Sequence, residues 1–212
     1  MTPLKPRHNP LFLILIASTF MFSAACKTEV VKEVKVKESE PLPLATPAEN
    51  MVSVSTGRGV FYIDRYEVSE PVQGDFFSVP NQQPKTNVTQ SEAKQICESL
   101  GKRLCTSREW ELACVGGHFL KYSYSHKNIP GFCNIGGIRT NTAYTGEYSH
   151  CKSDTGVHDL IGNVMELTSD VSAAGLVIAK GGDYSAKDAT CFQEFFDQPT
   201  EKNAKLGFRC CK

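Results

Sequence analysis

The sequence predicts an α+β domain with little regular secondary structure, held together by disulfides. Three observations point there. Two capped helical segments stand side by side early in the domain. Short β-rich runs, broken by glycine and proline, surround them, with no alternating βαβ series. Eight cysteines are spread between residues 97 and 211, more than a reducing compartment favours.

Val60-Phe61-Tyr62-Ile63-Asp64 is the first β-rich run, and it continues weakly through Tyr66 and Val68. The first helix begins at a T-x-x-E capping box, Thr89 with Glu92. Ala93, Ile96, Cys97 and Leu100 then recur at helical spacing, and Gly101 stands where a C-terminal cap belongs. Thr106 and Glu109 repeat the device for a second helix. Trp110, Ala113 and Cys114 line one of its faces, and Gly116-Gly117 ends it. Turns follow at Pro130-Gly131, Gly136-Gly137, Gly181-Gly182 and Asp197-Gln198-Pro199. Val177-Ile178-Ala179 and Gly207-Phe208-Arg209 are candidate short strands. No internal repeat is evident.

The N-terminus has the layout of a targeting segment. Lys5, Arg7 and His8 precede an apolar run from Leu11 to Phe22, and Ser23, Ala24, Ala25 and Cys26 follow. That is a signal peptide over residues 1–25. Its apolar run reaches about 18 Å as a helix, too short for a hydrocarbon core of about 30 Å. A cysteine after small residues marks Cys26 as the lipidated first residue of the mature chain. The alternative is ordinary cleavage near Ala25 that leaves Cys26 as a free thiol. Residues 26–50 are expected to form the lipidated cysteine and an extended tether, and residues 51–212 the domain. Within the tether, valine alternates with charge from Lys27 to Glu40, and the proline-rich PLPLATPAEN follows. A short edge strand followed by a loop is the other reading of that stretch. Lys27 is not the aspartate that holds lipoproteins at an inner membrane, so export and attachment to an outer membrane are favoured.

Lys+Arg and Asp+Glu are both 23. The chain therefore carries no basic footprint for nucleic acid and no polybasic membrane patch. Contact with a membrane is expected through the lipid alone. No CxxC occurs, and His118, His126, His150 and His158 show no metal-ligand spacing. With Cys26 set aside, the even number of cysteines describes a disulfide framework whose pairing spacing alone leaves open. Adjacent Cys210 and Cys211 point to opposite sides of an extended chain, so each bonds elsewhere.

Five segments in order carry a resemblance: FYIDRYEVS (61–69), TNVTQSEAKQICESLGKRLCTSREWELAC (86–114), FCNIGG (132–137), GVHDLIGNVMELTSD (156–170), and KGGDYS through LGFRC (180–210). Together they resemble the formylglycine-generating enzyme, or sulfatase-modifying factor, family. The resemblance implies an elaborated C-type-lectin-like fold. It implies the pairs Cys97–Cys210 and Cys114–Cys191. Of the four left, Cys133–Cys151 would close a short loop, which leaves Cys105–Cys211.

It also implies calcium, a hard cation that takes carboxylates and carbonyls. The carried-over ligands are Asp159, the Gly162 and Val164 carbonyls, and Glu166, with a weaker second set at Asn134 and Ile135. The alternative is a turn that Asp159 and Glu166 cap with hydrogen bonds and no metal. Catalytic members of that family bind copper through two cysteines between the GG and the GFR, and a thiolate pair suits Cu(I). This chain has one cysteine there, Cys191, and Ala186 stands at the first copper position. Copper is therefore not expected, and no catalytic residue is assigned. Met165, Asp183, Tyr184 and Ser185 are the residues that would line the family cleft. The favoured expectation is a non-catalytic envelope lipoprotein whose domain binds a protein or glycan, or serves a structural role. The alternative is a formylglycine-generating-type oxidase acting on a protein cysteine, or a related oxidoreductase.

Overall fold

Residues 50–198 and 200–212 are described by a computed structural model. The signal peptide expected over 1–25, Cys26 and the tether as far as residue 49 lie outside the described residues, as does Pro199 of the expected 197–199 turn.

The chain opens on a β-hairpin. Strand β1 (Met51–Thr56) pairs antiparallel with β2 (Gly59–Asp64) around the Gly57-Arg58 turn. Val52 and Val54 alternate with serines, so one face of β1 is apolar and buried while the other meets water. Strand β2 stops at Asp64 and does not run on to Tyr66 and Val68. The Asp64 carboxylate turns inward to accept from the Lys102 ammonium at 2.5 Å and the Cys210 amide at 3.1 Å.

Helix α1 (Gln90–Ser99) and helix α2 (Ser107–Val115) both begin in complete capping boxes, Thr89 with Glu92 and Thr106 with Glu109. Gly101 follows the α1 cap with φ of 66°, the left-handed conformation that suits glycine beyond a helix end. Between the helices lies the two-residue strand β3 (Arg103–Leu104). The order in the first sheet is β1-β2-β8-β3, with β8 (Cys210–Cys211) in its middle. The second sheet has the order β6-β5-β4-β7. Its strands are β4 (Met165–Val171), β5 (Val177–Lys180), β6 (Phe195–Asp197) and β7 (Leu206–Phe208). Strands β4 and β7 run parallel, and the other pairs are antiparallel. Residues 116–164, between α2 and β4, contain no named strand or helix.

Two apolar clusters fill the interior. One gathers Ile63, Trp110, Leu160 and Ile161 with Val52 and Val54. The other gathers Val68, Ala93, Leu167, Leu206 and Phe208. Four disulfides join the elements: Cys97–Cys210, Cys105–Cys211, Cys114–Cys191 and Cys133–Cys151. Two of them tie β8 to α1 and to the loop that follows β3. No helix among the described residues is long and apolar enough to cross a membrane.

Candidate functional site

The turn at Asp159–Val164 and the loop at Cys133–Ile135 meet at the centre of the domain. Gly162 (φ 80°) packs so closely that a Cβ there would lie 2.3 Å from the Asn134 carbonyl oxygen. Asp159 and Asn163 flank it, also at positive φ, a conformation that Asp and Asn tolerate better than most residues. The Asn163 side chain ties the region together. Its amide donates to Glu67 at 2.8 Å, and its oxygen accepts from the Ala143 amide and from Asn134.

Below this turn lies a buried ionic centre. Strand β4 points Glu166 inward, and Arg209, just after β7, meets it in a two-pronged pair at 2.5 Å. Both side chains are 1% exposed. Trp110 Nε1 of α2 donates to the same carboxylate at 2.7 Å. Two further guanidinium hydrogens go to the carbonyls of Asp64 and His158. Glu166 therefore does not stand free for a cation. Three of its roughly four acceptor positions are taken, which leaves one on Oε1.

Two further carboxyls are buried nearby with no cation of their own. Asp159 Oδ2 accepts from the Gly146 amide at 2.6 Å, and Glu67 Oε2 has no hydrogen-bond partner. Burial pushes the Asp159 carboxyl up to about 7, and Glu166 contributes to the rise. Burial raises Glu67 well above the usual carboxylate range, and the Asp159 charge adds to it. Three acids thus share one guanidinium. Such an excess of buried negative charge must be met by protons or by a cation. Among the described residues no three His, Cys, Asp or Glu side chains converge as metal ligands. A cation here would need backbone carbonyls as well. Carboxylates are the donor type calcium takes, and Asp159 and the open position on Glu166 are of that type. In the weaker set, Asn134 Oδ1 is buried without a partner.

The four cleft candidates come together on one side of the second sheet, around a residue that the sequence did not single out. Lys205 Nζ donates to Ser185 Oγ at 2.6 Å, lies 3.6 Å from Asp183 Oδ1, and sits 5.2 Å above the Tyr184 ring. Its carbonyl accepts from the Met165 amide. Asp183 also takes the Ser185 amide and hydroxyl. Ala186 packs at this rim, and its carbonyl receives the Gly136 amide. All eight cysteines of the described residues are in disulfides, Cys191 among them.

The histidines stand apart from one another. His118, His126 and His150 are exposed. His158 is half-buried against Tyr66, and burial lowers it to about 4, helped by Lys152, Arg209 and Arg65. Glu67, Trp110, Arg209 and Lys205 were absent from the predicted site. A lone charge between core residues, as in Phe208-Arg209-Cys210 or Tyr66-Glu67-Val68, is the signal that could have found two of them.

The model for the sulfatase-modifying factor enzyme 1-like domain matches residues 70–212. The chain is 29% identical over 150 residues to the inactive C-alpha-formylglycine-generating enzyme 2 of Bos taurus, covering 60% of this chain and 49% of that protein. It is 27% identical over 176 residues to the formylglycine-generating enzyme of Streptomyces coelicolor, covering 66% and 56%. The chain thus spans about half the length of the curated relatives it matches. Among solved structures, Treponema denticola variable protein 1 superposes with a TM-score of 0.59 at 16% identity, over 76% of this chain and 91% of that one. That likeness speaks for the fold, a C-type-lectin-like one.

Proposed function

Because the chain belongs to the sulfatase-modifying factor enzyme 1-like family, we propose that it is a member that binds rather than oxidises. In this reading it is an exported lipoprotein, anchored through Cys26 to the outer membrane, with residues 26–50 linking the anchor to the domain. The observation that carries the reading is the state of the sulfurs. Cys191 is joined to Cys114, and Ala186 stands at the position that the resemblance gives to the first copper cysteine. Among the described residues no thiolate pair is left to hold Cu(I). The same rim offers Lys205, Tyr184, Asp183 and Ser185, a charged and aromatic surface suited to a protein or glycan. Cys105 and Cys211 are bonded to each other and leave no free thiolate of their own.

One mass-spectrometric experiment on the exported chain tests both halves. Incubated with copper and a cysteine-containing sulfatase peptide, the protein should leave that cysteine unoxidised, and its N-terminal peptide should carry lipid on Cys26. Conversion of the peptide cysteine to formylglycine would establish the oxidase reading instead. An unmodified Cys26 would remove the anchor.

Calcium is proposed as a structural ion at the buried carboxyls. A bound cation there would supply positive charge to Asp159 and its neighbours. Its test is a pH series. In chelator, Asp159 and Glu67 hold protons in the folded chain that the unfolded chain releases near pH 4. The native state then binds more protons than the unfolded one, so stability falls as pH rises from about 4 toward 7. Calcium should replace those protons, flatten this slope and raise the melting temperature at pH 7.5. Curves that coincide with and without calcium would rule out the ion and leave the carboxyls as a proton-sharing pair.

A further inference from the structure

We propose that the outer edge of β1 pairs with the same edge of a second copy of this chain, joining the first sheets of two molecules about a two-fold axis. Strand β1 is the edge strand of its sheet, and the described residues provide no partner on its outer side. The Arg65 amide donates to the Asn50 carbonyl, so Asn50, Val52, Val54 and Thr56 turn their backbone groups toward β2. By the alternation of an antiparallel ladder, Met51, Ser53 and Ser55 direct theirs outward. Edge strands are ordinarily guarded by a charge, a proline, a bulge or short length. The MVSVST strand has no charge and no proline, and its six residues pair with β2 without a register shift. Nothing in β1 itself turns another strand away.

Beside β1 runs a groove of about 980 Å³, lined by Val54, Leu112 and Phe119 and by the charged Arg58, Arg108 and Asp154. Phe119 is 69% exposed and held at φ of 52°, a conformation a bulky residue rarely adopts. An aromatic ring kept in the open at a backbone cost, beside an open strand edge, is surface that association would cover. The charges choose the occupant. Among the described residues neither Arg58 nor Asp154 enters an ion pair. A surface that meets its own copy must be complementary to itself, because every contact of one residue with another is repeated in reverse. A lining of one sign would repel its copy, whereas this one carries both signs.

Two-fold symmetry limits the register. Outward-facing residues must meet outward-facing residues, so odd-numbered positions pair with odd-numbered ones. Setting Ser53 opposite Ser53 of the second copy places Met51 opposite Ser55 and Ser55 opposite Met51. That register uses all three outward residues of each strand. The Ser53 and Ser55 side chains are small and exposed, so an added strand meets no bulk on that face. The two four-stranded sheets would then run on as one. The cleft candidates lie by the second sheet, and the proposal does not depend on the cleft reading or on the lipid.

Cysteine cross-linking of the full exported chain tests it. Opposed residues of a hydrogen-bonded pair lie about 5.5 Å apart at Cα, within disulfide reach. Ser53→Cys should therefore give a disulfide-linked dimer on a non-reducing gel. Its yield should be about ten-fold above that of Ser55→Cys, which would face Met51, and of Val60→Cys on β2. In detergent, which disperses clusters held by lipid alone, the parent chain should sediment as a dimer. Ser53→Lys sets two like charges face to face across the axis and should sediment as a folded monomer. Equal cross-linking at all three positions, the mark of random collision, overturns the proposal. So does a parent chain that sediments as a monomer, which would leave the edge to a cover from within the chain or to another protein. A dimer that Ser53→Lys leaves intact overturns it too, because the contact then lies elsewhere. None of these outcomes bears on copper or on peptide oxidation, so the functional reading stands or falls separately.

Discussion

Arg209→Met will lower the unfolding free energy of the domain by about 3–5 kcal/mol, the range for removing one partner of a buried ion pair. Arg209 is fully buried, and its fork holds both oxygens of Glu166 as well as the carbonyls of Asp64 and His158. Methionine fills much of the volume but supplies no charge. Glu166 would then sit in the core with Trp110 as its one remaining donor, and two carbonyls would lose theirs. Lysine should rescue little, because a single ammonium cannot reach the carboxylate and two diverging carbonyls together. Adding Glu166→Leu to Arg209→Met should restore most of the loss, since the uncompensated charge is then gone. Urea unfolding with the disulfides intact reads all three variants. A loss below about 1 kcal/mol for Arg209→Met would mean that the pair is hydrated, contrary to the burial described here.

The second large effect concerns two disulfides that close nearly the same loop. Cys97–Cys210 spans 113 residues and Cys105–Cys211 spans 106. With one bond in place, the other adds only a small ring through residues 97–105. In the chain-entropy model, removing either pair by Cys→Ala costs about 3 kcal/mol, while removing both costs about 7 kcal/mol. That is a large share of the about 5–15 kcal/mol by which native domains are stable. Either single-pair variant should therefore fold with a lowered melting temperature, and the variant lacking both should fail to fold at 37 °C. Thermal unfolding followed by circular dichroism distinguishes the cases. A variant without both bonds that melts like the parent would show that α1 and β3 hold β8 without covalent help.

The helices were legible in the sequence because their signals are local. Each capping box lies within four residues, and Ala93, Cys97, Trp110 and Ala113 repeat at helical spacing. Of the second sheet, β5 was legible in Val177-Ile178-Ala179, but β4 was not. Strand β4 lies in MELTSDV, where Glu166 and Thr168 are buried beside Leu167. Alternation of polar and apolar residues fails there because the polar side chains are satisfied by Arg209, Trp110 and the Ile178 carbonyl. Strands β3, β7 and β8 are two or three residues long and exist through pairing with distant chain, which no window of sequence contains. Gly207-Phe208-Arg209 was expected as a strand, but β7 covers Leu206–Phe208, and Arg209 turns in to its ion pair. The cleft residues were found by motif. Lys205, which organises them, lies between the KGGDYS and LGFRC ends of the last segment and meets Ser185 across a gap of 20 residues.

The position of β8 bears on when the first sheet can close. Its two cysteines lie between β2 and β3 and arrive more than 100 residues after Cys97 and Cys105. The hairpin and both helices must therefore wait, with their apolar faces uncovered, until the closing segment has been delivered. A chain whose sheet is completed from so far downstream has a high contact order and closes slowly. Oxidation of the two cysteine pairs then locks the closed sheet.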